Sequence, residues 1–99
     1  MFFINVINSY RDVVAICDSD LLGKRFESGK FQLDVKESFY KGEEVSEEKA
    51  ISIIKKMSRE DATFNIVGKK SVSVALKAGI IVEEGIGKIQ GIPFAFVLL

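Results

Sequence analysis

Two short apolar runs near the start of the chain limit the fold more than any other part of the sequence. Phe2–Ile7 and Val13–Cys17 are rich in β-branched and aromatic residues, which favour strands. Residues 8–12, which lie between them, have the polar composition of a turn. The spacing predicts an antiparallel hairpin whose second strand is buried on both faces.

Three later segments also have strand patterns. After a turn at Glu27–Lys30, the segment Phe31–Lys36 alternates apolar and polar residues, as in a strand with one face in water. Near the end of the chain we expect a short strand at Lys88–Gln90 and a turn at Gly91. The apolar segment Phe94–Leu98 that follows is predicted to be an interior strand.

Two amphipathic segments predict helices. Ser46–Met57 begins with a residue suited to capping a helix and continues with apolar residues at helical spacing. Lys69–Ala78 has the same periodicity and is followed by Gly79, which suits the residue after a helix end. A chain of 99 residues forms one domain, here residues 1–99. The predicted fold is an α+β two-layer sandwich, with about five strands in a mixed or antiparallel sheet and two helices packed on it.

The absence of histidine excludes several chemistries. Without His, the chain has no Ser-His-Asp triad, no Cys-His pair and no imidazole ligand for zinc. Its single cysteine, Cys17, cannot form a disulfide within the chain, and no neighbouring base activates it, so we interpret it as a buried core residue. We therefore expect no cofactor and favour a protein that is not an enzyme.

The first residues, the short apolar runs and the single cysteine predict a soluble cytoplasmic protein. The first residues lack the basic segment of a signal peptide, and Asn5 interrupts their apolar run. No segment approaches the roughly 18 consecutive apolar residues of a membrane-spanning helix. A lone cysteine suits a reducing compartment.

Positive charge is concentrated in one part of a chain whose net charge is zero. Residues 49–77 contain seven basic and two acidic side chains. The basic residues are Lys49, Lys55, Lys56, Arg59, Lys69, Lys70 and Lys77. Such a segment indicates either a solvated helical face or a surface for a polyanion.

The sequence Gly-Lys-Lys-Ser at residues 68–71 resembles the tail of a phosphate-binding loop. It is not a complete loop, because Thr63 stands where the upstream glycine is required. A phosphate or an RNA backbone docked at this helix start is one interpretation. The alternative is that Asn65 or Gly68 only begins the helix.

Carboxylates and aromatic residues supply further candidates. Asp18, Asp20 and Asp34 lack the spacing of a cation-binding loop, so we predict no metal site and expect Asp18 or Asp20 to cap the turn at residues 21–23. Phe39 is predicted to plug the core, which leaves Tyr40 as a surface candidate.

An ordered series of short motifs resembles a small archaeal family known only as domain of unknown function 424. The motifs are Ala15–Lys24, Phe26–Gly29, Leu33–Val35, Phe39 and Tyr40 with Gly42, Asn65–Gly68, Ser71 and Val72, Ala75, Gly79–Ile81 and Ile89–Pro93. The resemblance implies an archaeal source and a compact cytoplasmic domain, and it supplies no established activity. Members often carry His after the last motif, where this chain has Phe94, so any chemistry that depends on that imidazole is absent.

These observations leave three hypotheses. The first is a non-enzymatic module that contacts RNA, or an RNA–protein assembly such as the translation machinery. Its candidate contacts are Lys24, Arg25, Lys55, Lys56, Lys69 and Lys70. The second is a small-ligand-binding protein or an enzyme with one pocket built from the polar motif positions. Those positions are Asp18, Lys24, Asp34, Tyr40, Asn65 and Gly68, of which the pocket would use the first four. The third is a protein–protein adaptor or a homodimer, for which an exposed apolar patch would be the sign.

Overall fold

The computed structural model describes residues 1–98, so the last residue of the predicted domain lies outside the described residues. The strands are β1 (Phe2–Ile7), β2 (Val13–Asp18), β3 (Arg25–Ser28), β4 (Phe31–Asp34), β5 (Glu43–Val45), β6 (Thr63–Val67), β7 (Gly87–Ile89) and β8 (Ile92–Val97). The helices are α1 (Glu37–Tyr40), α2 (Glu47–Arg59) and α3 (Lys69–Lys77), with 3-10 turns at Ser19–Leu21 and Glu83–Gly85.

Six of these strands form one mixed sheet in the order β5-β1-β2-β6-β8-β7. The neighbours are antiparallel except for β2 and β6, which are parallel at the centre of the sheet. The predicted hairpin of β1 and β2 is confirmed, with Ile4 opposite Ile16. Strands β3 and β4 form a separate two-stranded sheet.

Successive residues of β2 face opposite sides of the six-stranded sheet. Val14 and Ile16 belong to a core cluster with residues of α2 and α3, whereas Ala15 and Cys17 belong to a second cluster beneath β4 and α1. Because side chains alternate along a strand, the two clusters lie on opposite faces. We call α2 and α3 the helical layer, and β3, β4 and α1 the hairpin layer. The prediction that β2 is buried on both faces is confirmed.

Both predicted helices are present. Ser46 caps α2, and its Oγ accepts a hydrogen bond from the backbone N–H of Lys49 at 3.4 Å. Helix α3 ends at Lys77, and Gly79 follows with a positive φ of 77°, the left-handed conformation predicted for it. Across residues 1–98, every helix is too short or too polar to cross a bilayer.

The α+β class, with two helices packed on a mixed sheet, is confirmed. The sheet has six strands, of which the sequence analysis missed β5 at the edge and β6 at the centre. The strand predicted at Phe31–Lys36 is β4, which pairs with the unpredicted β3 in the separate sheet. Strand β6 places Asn65 between Ala15 of β2 and Phe96 of β8. The interpretation of Asn65 as a helix start is therefore wrong, and α3 begins after Gly68. Strand β6 has only five residues and is followed directly by Gly68 and α3, so its short apolar run is hard to distinguish from the start of the helix.

Candidate functional site

Asp18, the last residue of β2, is bonded to the first turn of α3. Its Oδ2 accepts from the backbone N–H of Lys70 at 3.1 Å, and its Oδ1 accepts from the N–H and the Oγ of Ser71, both at 2.7 Å. Only 6% of Asp18 is exposed. The carboxylate therefore satisfies two free amides of α3 and places a negative charge at the positive end of the helix dipole.

This contact corrects the role predicted for Asp18 and Asp20. The 3-10 turn at Ser19–Leu21 receives no side-chain cap, so neither aspartate caps it. The parallel pairing of β2 with β6 brings the end of β2 beside the start of α3 instead. Gly68 permits the approach, because a Cβ on Gly68 would lie 2.3 Å from the Asp18 Cγ.

The same contact excludes phosphate from two amides of α3. The N–H groups of Lys70 and Ser71 already donate to Asp18, so an anion at those amides would have to displace a buried carboxylate. The interpretation of this helix start as a backbone phosphate site is therefore wrong. The side chains of Lys69 and Lys70, which are exposed, remain available to an anion.

A surface cavity of about 530 Å³ lies beside these two lysines. We call it the lysine cavity. Met1 and Phe2 supply its apolar part, and its polar rim includes Ser46, Glu47, Lys69 and Lys70. Neither lysine forms an ion pair with a carboxylate of residues 1–98. The cavity thus combines an apolar surface with two cations that have no ionic partner.

The other predicted cations lie elsewhere. Lys55 is exposed on α2, whereas Lys56 lines a groove of 550 Å³ together with Asp12, Glu43 and Glu60. We call this the acidic groove. Three carboxylates around Lys56 make it a poorer contact for a phosphate than Lys55.

Lys24 and Arg25 do not join the helical layer. They precede and begin β3, so they lie on the opposite side of the sheet from α2 and α3. Arg25 also pairs with a carboxylate, its Nη2 lying 2.8 Å from Oε1 of Glu27. The prediction that Lys24 and Arg25 share one basic surface with Lys69 and Lys70 is therefore wrong.

Tyr40 is buried, which corrects its prediction as a surface residue. It is 5% exposed, while Phe39 beside it is only half-buried. The short helix α1 turns Tyr40 toward the core cluster that contains Cys17. Burial, followed by the charges of Cys17 and Asp34, raises the pKa of Tyr40 to about 12.

Two of the four side chains of the pocket proposed for a ligand or a reaction are buried, and a third, Asp34, lies close enough to Tyr40 for its charge to raise the tyrosine pKa. Asp18 directs both oxygens to α3, Tyr40 is buried, and Lys24 is exposed with its carbonyl bound to the N–H of Val35. Cys17 is buried as predicted, and burial followed by the charge of Asp18 raises the pKa of its thiol to about 12. The thiol is therefore protonated at neutral pH and is a weak nucleophile.

An exposed apolar patch lies where β8 leaves the sheet. Val82, Phe96 and Leu98 are 64%, 51% and 80% exposed, and they line a shallow cavity of 310 Å³. Strand β7 pairs only with Ile92–Phe94, so the outer edge of β8 is uncovered at Phe96. This is the feature that the adaptor hypothesis requires.

Comparison with other proteins identifies relatives without assigning an activity. No curated protein sequence matches the chain. A solved structure described as an uncharacterized conserved protein from Methanopyrus kandleri is similar, with a TM-score of 0.86 and 28% sequence identity over 98% of this chain and 91% of that chain. The model of the family described as "Protein of unknown function (DUF424)" matches residues 7–99. The chain therefore belongs to the DUF424 family, as its motifs imply.

Proposed function

We propose that the protein is a non-enzymatic binding module that contacts RNA, alone or within an RNA–protein assembly such as the translation machinery. The contact surface in this proposal is the outer face of the helical layer around the lysine cavity. The proposal places the protein in the cytoplasm of an archaeal cell, in keeping with its family resemblance and the Methanopyrus relative.

The observation that carries the proposal is the pair of exposed lysines at the lysine cavity. Lys69 and Lys70 have no ionic partner among residues 1–98, and an apolar surface adjoins them. Single-strand binding proteins combine cations for the backbone with apolar or aromatic surface for the bases.

The rest of the helical layer adds positive charge. Helices α2 and α3 carry the seven basic residues of residues 49–77, and all seven are exposed. Lys49 and Lys77 pair with Glu43 and Glu47, at 3.7 and 3.2 Å, and the other five have no ion pair within residues 1–98. Leaving out Lys56, which lies in the acidic groove, four of these cations are available to a phosphate backbone.

Charge reversal on opposite faces of the sheet tests the proposal. A fluorescently labelled single-stranded RNA is titrated with the wild type, with Lys69→Glu/Lys70→Glu, and with the matched control Lys24→Glu/Arg25→Glu. We expect the first double variant to lose binding and the control to bind nearly as the wild type does. Both pairs are exposed, so melting curves should show that both variants remain folded.

Salt dependence supplies the second readout. Four phosphate contacts to single-stranded RNA predict that a fourfold rise in salt weakens binding roughly 50-fold. Equal losses in the two double variants, or affinity that is indifferent to salt, would contradict the proposal.

A protein–protein contact at the apolar patch is a second candidate function, favoured by the exposure of Phe96 and Leu98. Sedimentation of the wild type and of Phe96→Ser tests it. Self-association that Phe96→Ser abolishes would support this function, and a monomer at all concentrations would exclude the homodimer.

A further inference from the structure

The lysine cavity contains more than cations, and its remaining groups have a chemistry of their own. Its volume of 530 Å³ falls in the range of about 300 to 1,000 Å³ that small-molecule sites occupy. Besides Lys69 and Lys70 it is lined by the apolar residues Met1 and Phe2 and by the acidic residue Glu47. A ligand that matches the two cations, the apolar residues and the acidic residue has a phosphate, an aromatic ring and hydrogen-bond donors on the edge of that ring.

Met1 is placed to contact such a ring. Met1 lines the cavity and is 57% exposed, while its carbonyl oxygen accepts a hydrogen bond from the N–H of Ser19 at 3.2 Å. Phe2 is only 5% exposed. The backbone of Met1 is thus held in place, and its thioether is free to pack against an aromatic ring, which is a favourable contact for sulfur.

Glu47 supplies hydrogen-bond acceptors. Its Oε1 accepts a hydrogen bond from Lys77 Nζ at 3.2 Å, and its Oε2 has no hydrogen-bond partner among residues 1–98. An ionised carboxylate only accepts hydrogen bonds, so it favours a base edge that only donates to it. Guanine has two adjacent donors, N1–H and the 2-amino group. Uracil has one, N3–H, between two carbonyl oxygens that would face the carboxylate.

We propose that the lysine cavity binds one unpaired guanine nucleotide of an RNA, with the phosphate on Lys69 and Lys70, the base against Met1 and the guanine edge on Glu47. This inference rests on the proposed function and adds a base preference to it. Recognition of single-stranded RNA by stacking and by the Watson–Crick edges of splayed bases has the same elements. Glu47 is then the residue that determines specificity.

The test compares nine-nucleotide RNAs that differ at one base. An all-uridine strand is compared with strands that carry one central guanosine or one central adenosine, each titrated at low salt. We expect the guanosine strand to bind about tenfold more tightly than the all-uridine strand, as one charge-assisted interaction would give. The adenosine strand should lie between them, because adenine stacks as well but presents a ring acceptor to Glu47.

Matched variants separate base reading from overall charge. Glu47→Gln and Glu48→Gln each remove one negative charge from the start of α2, but only Glu47 lines the cavity. We expect Glu47→Gln to abolish the preference for guanosine and Glu48→Gln to keep it. Preference retained in Glu47→Gln, or equal binding of all three strands, would overturn the inference while leaving RNA binding in place.

The last measurement is the affinity of the protein for free GMP. If GMP binds as tightly as the guanosine strand, the cavity takes a soluble nucleotide and the RNA part of the inference is overturned. If no strand binds at low salt, both the inference and the proposed function fail.

Discussion

At the scale of single residues, Asp18 and Gly68 join two neighbouring strands to the start of a helix. The predicted consequence is that Asp18→Ala lowers the free energy of unfolding by about 2 to 4 kcal/mol, since two amides and the Ser71 hydroxyl lose their acceptor. Urea denaturation measures this change. Asp20→Ala is the control, because Asp20 is exposed and should change stability little. Equal effects of the two substitutions would contradict the capping role.

Substituting two glycines with positive φ distinguishes the cost of a steric clash from the cost of the backbone conformation alone. Gly68 has φ of 110° and a Cβ there would collide with the Asp18 carboxylate, whereas Gly79 has φ of 77° and open space around it. We expect Gly79→Ala to cost about 1 kcal/mol and Gly68→Ala about 2 to 4 kcal/mol. Combining Gly68→Ala with Asp18→Ala should cost less than the sum of the two, and strict additivity in denaturation would contradict the close approach.

Cys17 and Tyr40 predict a loss of stability at high pH. Both have pKa values raised to about 12, from ordinary values of 9.0 and 10.0. Above pH 9 the unfolded chain therefore releases protons that the folded protein retains, so the free energy of unfolding falls as the pH rises toward 12. Below about pH 8 both groups are protonated in both states and contribute almost no slope. Cys17→Ala should make the decline shallower in denaturation measured across this range, and an unchanged slope would contradict the prediction.

At the scale of secondary-structure elements, the parts that the sequence predicts are those with local signals. Helix α2 has its cap and its apolar stripe within thirteen residues, and the hairpin of β1 and β2 has a turn between two apolar runs. Strand β6 has a weaker signal, because Thr63–Val67 alternates over only five residues and its partners β2 and β8 are distant in sequence. The role of Asp18 could not be predicted without β6, because the pairing of β2 with β6 brings the Asp18 carboxylate to the start of α3.

The cap of α2 gives a prediction at this scale. Ser46→Ala should lower the free energy of unfolding by about 1 kcal/mol, because the N–H of Lys49 loses its acceptor. Ser52→Ala, on the exposed face in the middle of the same helix, should be neutral or slightly stabilising, since alanine has the higher helix propensity. Thermal melting of both variants checks the difference, which would vanish if Ser46 were not the cap.

At the scale of the whole molecule, the sheet separates two surfaces of different character. The helical layer collects the basic residues of residues 49–77, and the hairpin layer buries Tyr40 and carries Lys24 and Arg25. The sequence predicted the concentration of charge correctly. It could not assign Lys24 and Arg25 to a face, because that assignment depends on which side of the sheet the hairpin covers.

The measurement that tests the central claim most directly is an amide chemical-shift map of the isotope-labelled protein titrated with single-stranded RNA at low salt. If the helical layer binds the RNA, the amide chemical shifts change in α2 and α3, most strongly around Lys69 and Lys70, and those of β3 and β4 stay unchanged. Shifts concentrated in β3 and β4, or no shifts at saturating RNA, would contradict it.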